Sequence, residues 1–159
     1  MLLSIIIPSK NRHALLEQLL LTINQQVTQS NCLDHVEIIV VDDGSSPALQ
    51  LPSNTLKTQC QLLTLSMHSG APKARQHGLE SASGEYIHFH DSDDSITDGW
   101  LEGIIRHLRE TTCFDFLVTA RKVITKTGAA YKKQHLLKNM ASQPQRIKQR
   151  LRYENCLGP

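Results

Sequence analysis

The chain contains 159 residues, of which 40% are apolar and 20% are charged, a composition typical of a single globular domain. This composition excludes an intrinsically disordered chain, and the apolar run near the N-terminus is too short to span a membrane. The four cysteines form no CxxC pair, which argues against a zinc ribbon or a thioredoxin-like site, and we expect reduced thiols in a cytoplasmic protein.

The net charge of +2 conceals a strong asymmetry along the chain. Residues 1–115 contain 7 basic and 14 acidic residues, whereas residues 116–153 contain 10 basic residues and no acidic one. An acidic body is therefore followed by a basic segment. That segment has few aromatic residues between its cations, so nucleic acid is not expected as a partner, and peripheral contact with an anionic membrane surface is favoured.

Short apolar runs alternate with helical patterns over the first 115 residues. Five runs predict strands, at Leu3–Pro8, Val36–Val41, Gln61–Leu65, Tyr86–His90 and Phe114–Thr119. Three stretches with helical periodicity lie among them, at Leu15–Ile23, Pro72–Ser83 and Trp100–Leu108. Strands that alternate with helices predict an α/β fold with a mainly parallel sheet and helices on both faces.

Polar residues and glycines predict where the helices begin and end. Asn11 is predicted to cap the first helix, Gly84 to end the second, and Thr97 or Asp98 to cap the third. The pattern weakens after the fifth strand. One hairpin is predicted there, between Val123–Thr125 and Ala129–Tyr131.

Three polar segments directly follow predicted strands: Pro8–Arg12, Asp42–Ser45 and Asp91–Asp94. The carboxyl ends of parallel strands meet at one edge of a sheet, where ligands bind, so we expect these segments to lie close together. Five aspartates at one edge repel one another unless a cation offsets them, which favours magnesium or manganese. Taken singly, Asp42–Ser45 is also an ordinary turn and Asp91–Asp94 an ordinary start of a helix.

Four motifs in this order resemble the N-terminal, nucleotide-binding part of a family 2 (GT-A fold) inverting glycosyltransferase. They are Ser4–Arg12, Glu37–Ser45, the glycine-containing stretch Gly70–Ile87, and the DxD motif Asp91-Ser92-Asp93. The resemblance covers about residues 3–125 and implies a Rossmann-like GT-A core in residues 1–125. Residues 126–159 would form a basic extension that leads toward an acceptor-binding half missing from this chain, which we expect to be truncated at its C-terminus.

The resemblance also implies the roles of individual residues. It assigns eight residues to the nucleotide: Pro8, Ser9, Arg12, Asp42, Asp43, Arg75, Asp91 and Ser92. Among these, Asp43 would accept a hydrogen bond from the uracil N3–H, and Asp42 would support the turn. Asp91 and Asp93 would bind a Mn²⁺ or Mg²⁺ ion that bridges the two phosphates, because a metal offsets the charge that develops on a diphosphate leaving group.

Three features depart from the family pattern. His88 and His90 occupy alternate strand positions where the family has apolar residues, and we predict a buried position under a helix for them instead of metal ligation. His68 replaces a polar residue that is commonly Asn, with a role left open. No catalytic base is found, since Glu154 is the only acid after Asp115 and lies too early to match it.

The leading hypothesis is therefore transfer of a sugar from a UDP-sugar to an acceptor hydroxyl with inversion, in polysaccharide biosynthesis. The acceptor would be a saccharide or a lipid-linked saccharide, and the location the cytoplasm or the inner face of the membrane. One alternative is a truncated nucleotide-binding module without catalysis. Another is a haloacid-dehalogenase-like phosphotransferase, which leaves Asp42–Ser45 unexplained. We also expect a homodimer that covers surface exposed by the missing half.

Overall fold

A four-stranded parallel sheet forms the centre of the N-terminal part of the chain. A computed structural model describes residues 1–52, 56–110, 121–124 and 130–133. The strands are β1 (Leu3–Ser9), β2 (Val36–Asp42), β3 (Gln59–Thr64) and β4 (Tyr86–Phe89), in the order β3-β2-β1-β4. Four predicted strands are thus confirmed, with ends shifted by one or two residues. The fifth, Phe114–Thr119, lies outside the described residues.

The two central strands are buried along their whole length. Every residue of β1 and β2 is buried, and the two strands pair in register from Leu3 opposite Val36 to Ser9 opposite Asp42. A continuous apolar run is what a parallel strand covered on both faces requires. The confirmed fold is therefore α/β, with helices on both faces of a parallel sheet.

Three helices cover the sheet: α1 (His13–Gln29), α2 (Ala71–Ser81) and α3 (Trp100–Glu110). Helix α2 packs closely on one face, where Ala74 shares a cluster with Ile6, Ile39 and Val41. A Cβ on Gly78 would lie 2.5 Å from Ile6 Cγ2, so glycine is needed for this close approach. Helices α1 and α3 pack against each other through their buried apolar residues on the other face.

Two predicted ends of helices are wrong. Helix α2 already ends at Ser81, and Gly84 does not terminate it. Gly84 is needed because a Cβ there would lie 2.6 Å from the Ser4 backbone nitrogen. Asn11 does not cap α1 either: its Oδ1 accepts a hydrogen bond from the Ser46 N–H at 2.9 Å, which ties the loop after β1 to the loop after β2.

The start of α3 is held by a side chain from α1. The buried Gln26 donates from Nε2 to the Thr97 carbonyl at 2.9 Å and accepts the Leu101 N–H on Oε1 at 3.0 Å. The predicted cap was Thr97 or Asp98. In the structure, Gln26 accepts the Leu101 N–H, and Thr97 takes part in this contact through its carbonyl. Because Gln26 is distant in sequence, periodicity gave no signal for it.

The chain divides into two compact units, residues 1–110 and 111–159. In the second unit, β5 (Arg121–Ile124) and β6 (Ala130–Lys133) pair antiparallel, with Val123 opposite Tyr131, which confirms the predicted hairpin. The domain boundary after residue 125, which rests on the family resemblance, stays a prediction. In the described part of the chain, no helix combines the length and apolarity needed to cross a membrane.

Candidate functional site

The loops after β1, β2 and β4 meet at the carboxyl edge of the sheet. Ser9 at the end of β1 lies opposite Asp42 at the end of β2, and the Asp43 N–H donates to the Ser9 carbonyl at 2.9 Å. On the other side of β1, Ile6 lies opposite Phe89, so β4 ends just before Asp91. The three polar segments therefore share one edge because the parallel register places them there.

Two arginines hold the aspartates of the DxD motif. Asp91 Oδ1 lies 2.7 Å from an Nη atom of Arg75 on α2, and Asp93 Oδ1 lies 3.0 Å from Arg12 Nη1 in the loop after β1. The side chains of Asp91 and Asp93 are 47% and 45% exposed. The motif is thus tied to two other elements while its carboxylates stay open to solvent.

Asp42 is a buried carboxylate that holds the loop after β2. Its Oδ1 accepts the Ser45 N–H and its Oδ2 accepts the Leu49 N–H, each at 2.9 Å. Each oxygen of the carboxylate therefore accepts one backbone donor of its own loop. Its assignment to the nucleotide stays a prediction, and any such effect would act through the shape of this loop.

Asp43 holds the segment that leads into α2. Its carboxylate accepts three hydrogen bonds, from the Ser69 N–H at 2.6 Å, the His68 Nδ1–H at 2.7 Å and the Gly70 N–H at 3.0 Å. Burial by itself raises the pKa of Asp43, but these hydrogen bonds together outweigh it and the pKa is lowered. The role of His68, which the sequence left open, is therefore to donate a hydrogen bond to Asp43.

These contacts bear on the predicted role of Asp43 toward uracil. A carboxylate offers about four lone-pair sites, and Asp43 uses three of them within the protein. Gly44 lies directly beside this segment, because a Cβ on it would be 2.7 Å from the His68 backbone nitrogen. The uracil contact stays a prediction: one lone-pair site of the carboxylate is unused, while its side chain is only 5% exposed.

Two serines at this edge have buried hydroxyl groups without a hydrogen-bond partner among the described residues. They are Ser9 in β1 and Ser92 within the DxD motif. An unsatisfied buried hydroxyl is costly, so such groups mark places where a ligand or water completes the structure. Pro8 precedes Ser9 and is also buried in β1.

The two histidines that depart from the family pattern lie beside the DxD turn. Their rings are 5.4 Å apart between centroids, and Trp100 of α3 lies 5.0 Å from His88 and 5.9 Å from His90. Burial and the neighbouring His90 lower the pKa of His88 to about 4, so this ring is neutral at pH 7. Both rings lie against Trp100 of α3, which confirms the predicted cover by a helix, but both residues are half-buried and not fully buried as predicted.

The donor atoms at this edge fit a hard divalent cation only in part. Asp91 and Asp93 supply carboxylate oxygens, the ligands that Mg²⁺ and Mn²⁺ prefer. Within the described ranges there is no group of three or more histidine, cysteine or acidic side chains arranged to hold a metal ion. A cation here would therefore need further oxygen ligands, and a diphosphate is the usual source of them.

The sequence model of glycosyl transferase family 2 matches residues 4–158. The chain belongs to this family. It is 36% identical over 104 residues to an uncharacterized glycosyltransferase of Haemophilus influenzae, covering 64% of this chain and 40% of that protein. It is 32% identical over 112 residues to the GalNAc(5)-diNAcBac-PP-undecaprenol beta-1,3-glucosyltransferase of Campylobacter jejuni, covering 68% of this chain and 35% of that protein.

A solved structure agrees with these sequence relatives. The crystal structure of Staphylococcus aureus TarS 1–349 in complex with UDP-GlcNAc superposes with a TM-score of 0.56 at 28% identity, covering 69% of this chain and 32% of that one. The GT-A resemblance is therefore confirmed. The chain spans less than half the length of these relatives.

Proposed function

We propose that this chain is the donor-binding part of a glycosyltransferase that uses a UDP-sugar and a divalent cation. The observation that carries the proposal is the edge where Arg12 and Arg75 pair with Asp93 and Asp91 beside the segment held by Asp43. Cationic donors next to exposed carboxylates suit a metal-bound diphosphate. The solved relative, which was crystallised in complex with UDP-GlcNAc, supports uridine as the nucleoside.

The protein's own residues would act by binding and orientation. Arg12 and Arg75 would move or share their donors between the aspartates and the phosphate oxygens. The unsatisfied hydroxyls of Ser9 and Ser92 would complete their hydrogen bonds with the bound nucleotide or its water. Asp43 would orient the base through its remaining lone pair while it keeps the start of α2 in place.

Asp91 and Asp93 would hold Mn²⁺ or Mg²⁺ together with the diphosphate. When bound, the cation supplies charge neutralisation for the diphosphate as it leaves. The carboxylates fit this role because they are half exposed and each is paired with a single arginine in the described structure.

The acceptor would be a saccharide or a lipid-linked saccharide. The Campylobacter relative supports this, since it is a glucosyltransferase named for a saccharide joined to undecaprenol through a diphosphate. The acceptor hydroxyl would attack the sugar C1 from the face opposite the diphosphate, so that the product is inverted. We assign the base for that hydroxyl to no acid of this chain, because Glu154 does not match its place in the family.

Calorimetric titration of the full chain with UDP-GlcNAc, with and without Mn²⁺, tests donor binding. We expect saturable binding that needs Mn²⁺, and a loss of at least about ten-fold in affinity for Asp93→Ala. Asp98→Ala is the matched control, because Asp98 is an exposed aspartate close in sequence to which no role toward the nucleotide or the metal is assigned. Absence of binding, or an equal effect of the two variants, would refute the proposal.

The basic segment carries a separate proposal of peripheral contact with the inner membrane face. Residues 116–153 contain 10 basic residues and no acid, which suits anionic lipid. Co-sedimentation with vesicles that contain about one third anionic lipid should exceed that with neutral vesicles and fall at high salt. Sedimentation velocity of the chain without vesicles tests the homodimer that we propose, which should sediment with the mass of two chains.

A further inference from the structure

Two imidazole rings, those of His88 and His90, form a hydrogen-bonded row that ends at the DxD turn. His88 Nε2 lies 3.2 Å from His90 Nδ1, and His90 Nε2 lies 3.2 Å from the carbonyl oxygen of Asp94. Trp100 packs against both rings. The row therefore leads from the middle of β4 to the residue that follows the DxD motif.

The carbonyl at the end of this row sets the direction of its hydrogen bonds. A carbonyl oxygen accepts only, so His90 must donate to Asp94 through its Nε2–H. In a neutral ring, Nδ1 is then an acceptor, and it receives the Nε2–H of His88. Both rings are thereby assigned to the tautomer that carries its proton on Nε2.

The same turn is also closed by its backbone. The Asp94 N–H donates to the Asp91 carbonyl at 3.0 Å, while the Asp94 carbonyl accepts the proton of His90. The backbone on each side of Asp94 is thus fixed by one hydrogen bond. Asp91 and Asp93, which meet the two arginines, are carried on this turn.

We infer that His90, supported by His88 and Trp100, is a positioning residue that holds the DxD turn in the orientation that presents Asp91 and Asp93. An apolar side chain at position 90 would fill space but would leave the Asp94 carbonyl without this donor. The consequence for donor binding rests on the function proposed above, whereas the hydrogen-bonded row stands on the geometry alone.

A transition-metal site is the competing use of an H-x-H pair. The two facing nitrogens are 3.2 Å apart, a spacing that two ligands of one metal ion also show. Within the described part of the chain, however, no third histidine, cysteine or acid completes such a group. The hydrogen-bonded row accounts for both rings without a metal.

The first measurement locates the ring protons in the free protein. Long-range ¹H–¹⁵N spectra should show a proton on Nε2 of both His88 and His90, as the row of hydrogen bonds requires. A His90 ring that carries its proton on Nδ1 alone would overturn the inference. This measurement does not depend on whether the chain binds a nucleotide.

The second measurement compares His90→Gln with His90→Leu in the calorimetric titration with UDP and Mn²⁺. Glutamine keeps an N–H donor near the position of Nε2, whereas leucine does not. We expect His90→Leu to lower the affinity about ten-fold and His90→Gln to stay within about three-fold of the unchanged chain. Equal affinities for the two variants would overturn the inference.

Two controls keep the comparison decisive. His35→Leu removes an exposed histidine at the opposite end of the sheet and should leave the affinity unchanged. If His90→Leu does not fold, His90→Phe replaces it, because phenylalanine keeps a ring without a donor. If the unchanged chain fails to bind UDP, the proposed function fails, and the ring spectra alone decide the inference.

Discussion

Glu37 at the amino end of the sheet and Asp93 at its carboxyl end are carboxylates used in opposite ways. At the amino end, Glu37 of β2 is 5% exposed and accepts hydrogen bonds from Ser4 Oγ at 2.5 Å, Ser83 N–H at 2.7 Å and Ser83 Oγ at 2.9 Å. At the carboxyl end, Asp93 is 45% exposed and meets one arginine. A buried carboxylate with several donors stays in place, whereas a half-exposed one with a single partner is free to exchange that partner.

The difference separates stability from function along the same strands. Removing one partner from a buried charged group leaves that charge unpaired in a poorly solvated place, which is strongly destabilising. An exposed ion pair contributes between about 0 and 1 kcal/mol, since water replaces either partner. We therefore expect Glu37 to contribute mainly to the free energy of unfolding, and Asp93 with its partner Arg12 to contribute mainly to ligand affinity.

Glu37→Gln should give the largest effect on stability. The three donors from Ser4 and Ser83 all point to Oε1. A glutamine oxygen in that place accepts them without the negative charge, which strengthens each hydrogen bond by about 1 kcal/mol. We expect a loss of about 3 kcal/mol in the free energy of unfolding, measured by urea denaturation. Glu85→Gln, an exposed residue near the same end of the sheet, should change it by less than about 0.5 kcal/mol.

The pH dependence of this pair of variants checks the cause. Burial by itself raises the pKa of Glu37, but the hydrogen bonds from Ser4, Ser83 and Gly84 outweigh it, so the folded pKa lies below 4.5. A lowered folded pKa contributes stability that is present above 4.5 and is lost as the pH falls through the folded value. The gap between the unchanged chain and Glu37→Gln should therefore narrow in that window, and a constant gap would contradict this account.

Asp42 lies between the two extremes, since it is buried but belongs to the carboxyl end. Asp42→Asn keeps an acceptor for one of the two N–H groups, from Ser45 and Leu49, and turns a donor toward the other. We expect a loss of about 2 kcal/mol in the free energy of unfolding. Asp34→Asn, at an exposed position, is the control. If Asp42→Asn changed the free energy of unfolding as little as the control does, Asp42 would resemble Asp93 and not Glu37, which would contradict this prediction.

Arg12→Met should have the smallest effect on stability, because the arginine and its partner Asp93 are both 45% exposed. We expect less than about 1 kcal/mol in unfolding and about a ten-fold lower affinity for UDP with Mn²⁺. Lys10→Met removes a nearby cation without an assigned partner at the site. A large loss of stability with unchanged affinity would reverse the comparison between the two ends.

Much of the fold was predictable from local pattern alone. The continuous apolar runs at β1 and β2 indicate strands covered on both faces, and the structure places them at the centre of the sheet. Gly70, just before α2, and Pro72, in its first turn, indicate where this helix begins. The ends of helices were less predictable, because a side chain suited to capping its own helix can instead bind a residue distant in sequence. The Asn11 Oδ1 accepts the Ser46 N–H of another loop in this way.

The sequence by itself determined the alternation of strands and helices, and therefore the edge at which the polar loops meet, because these depend on periodicity over a few residues. Only the tertiary structure decided the partners of the charged and polar groups. Arg12 meets Asp93, Gln26 caps α3, and His90 supports the DxD turn. Each of these contacts forms only when folding brings the side chains to within hydrogen-bonding distance. The periodicity of the sequence is a local property, so it does not predict such partners.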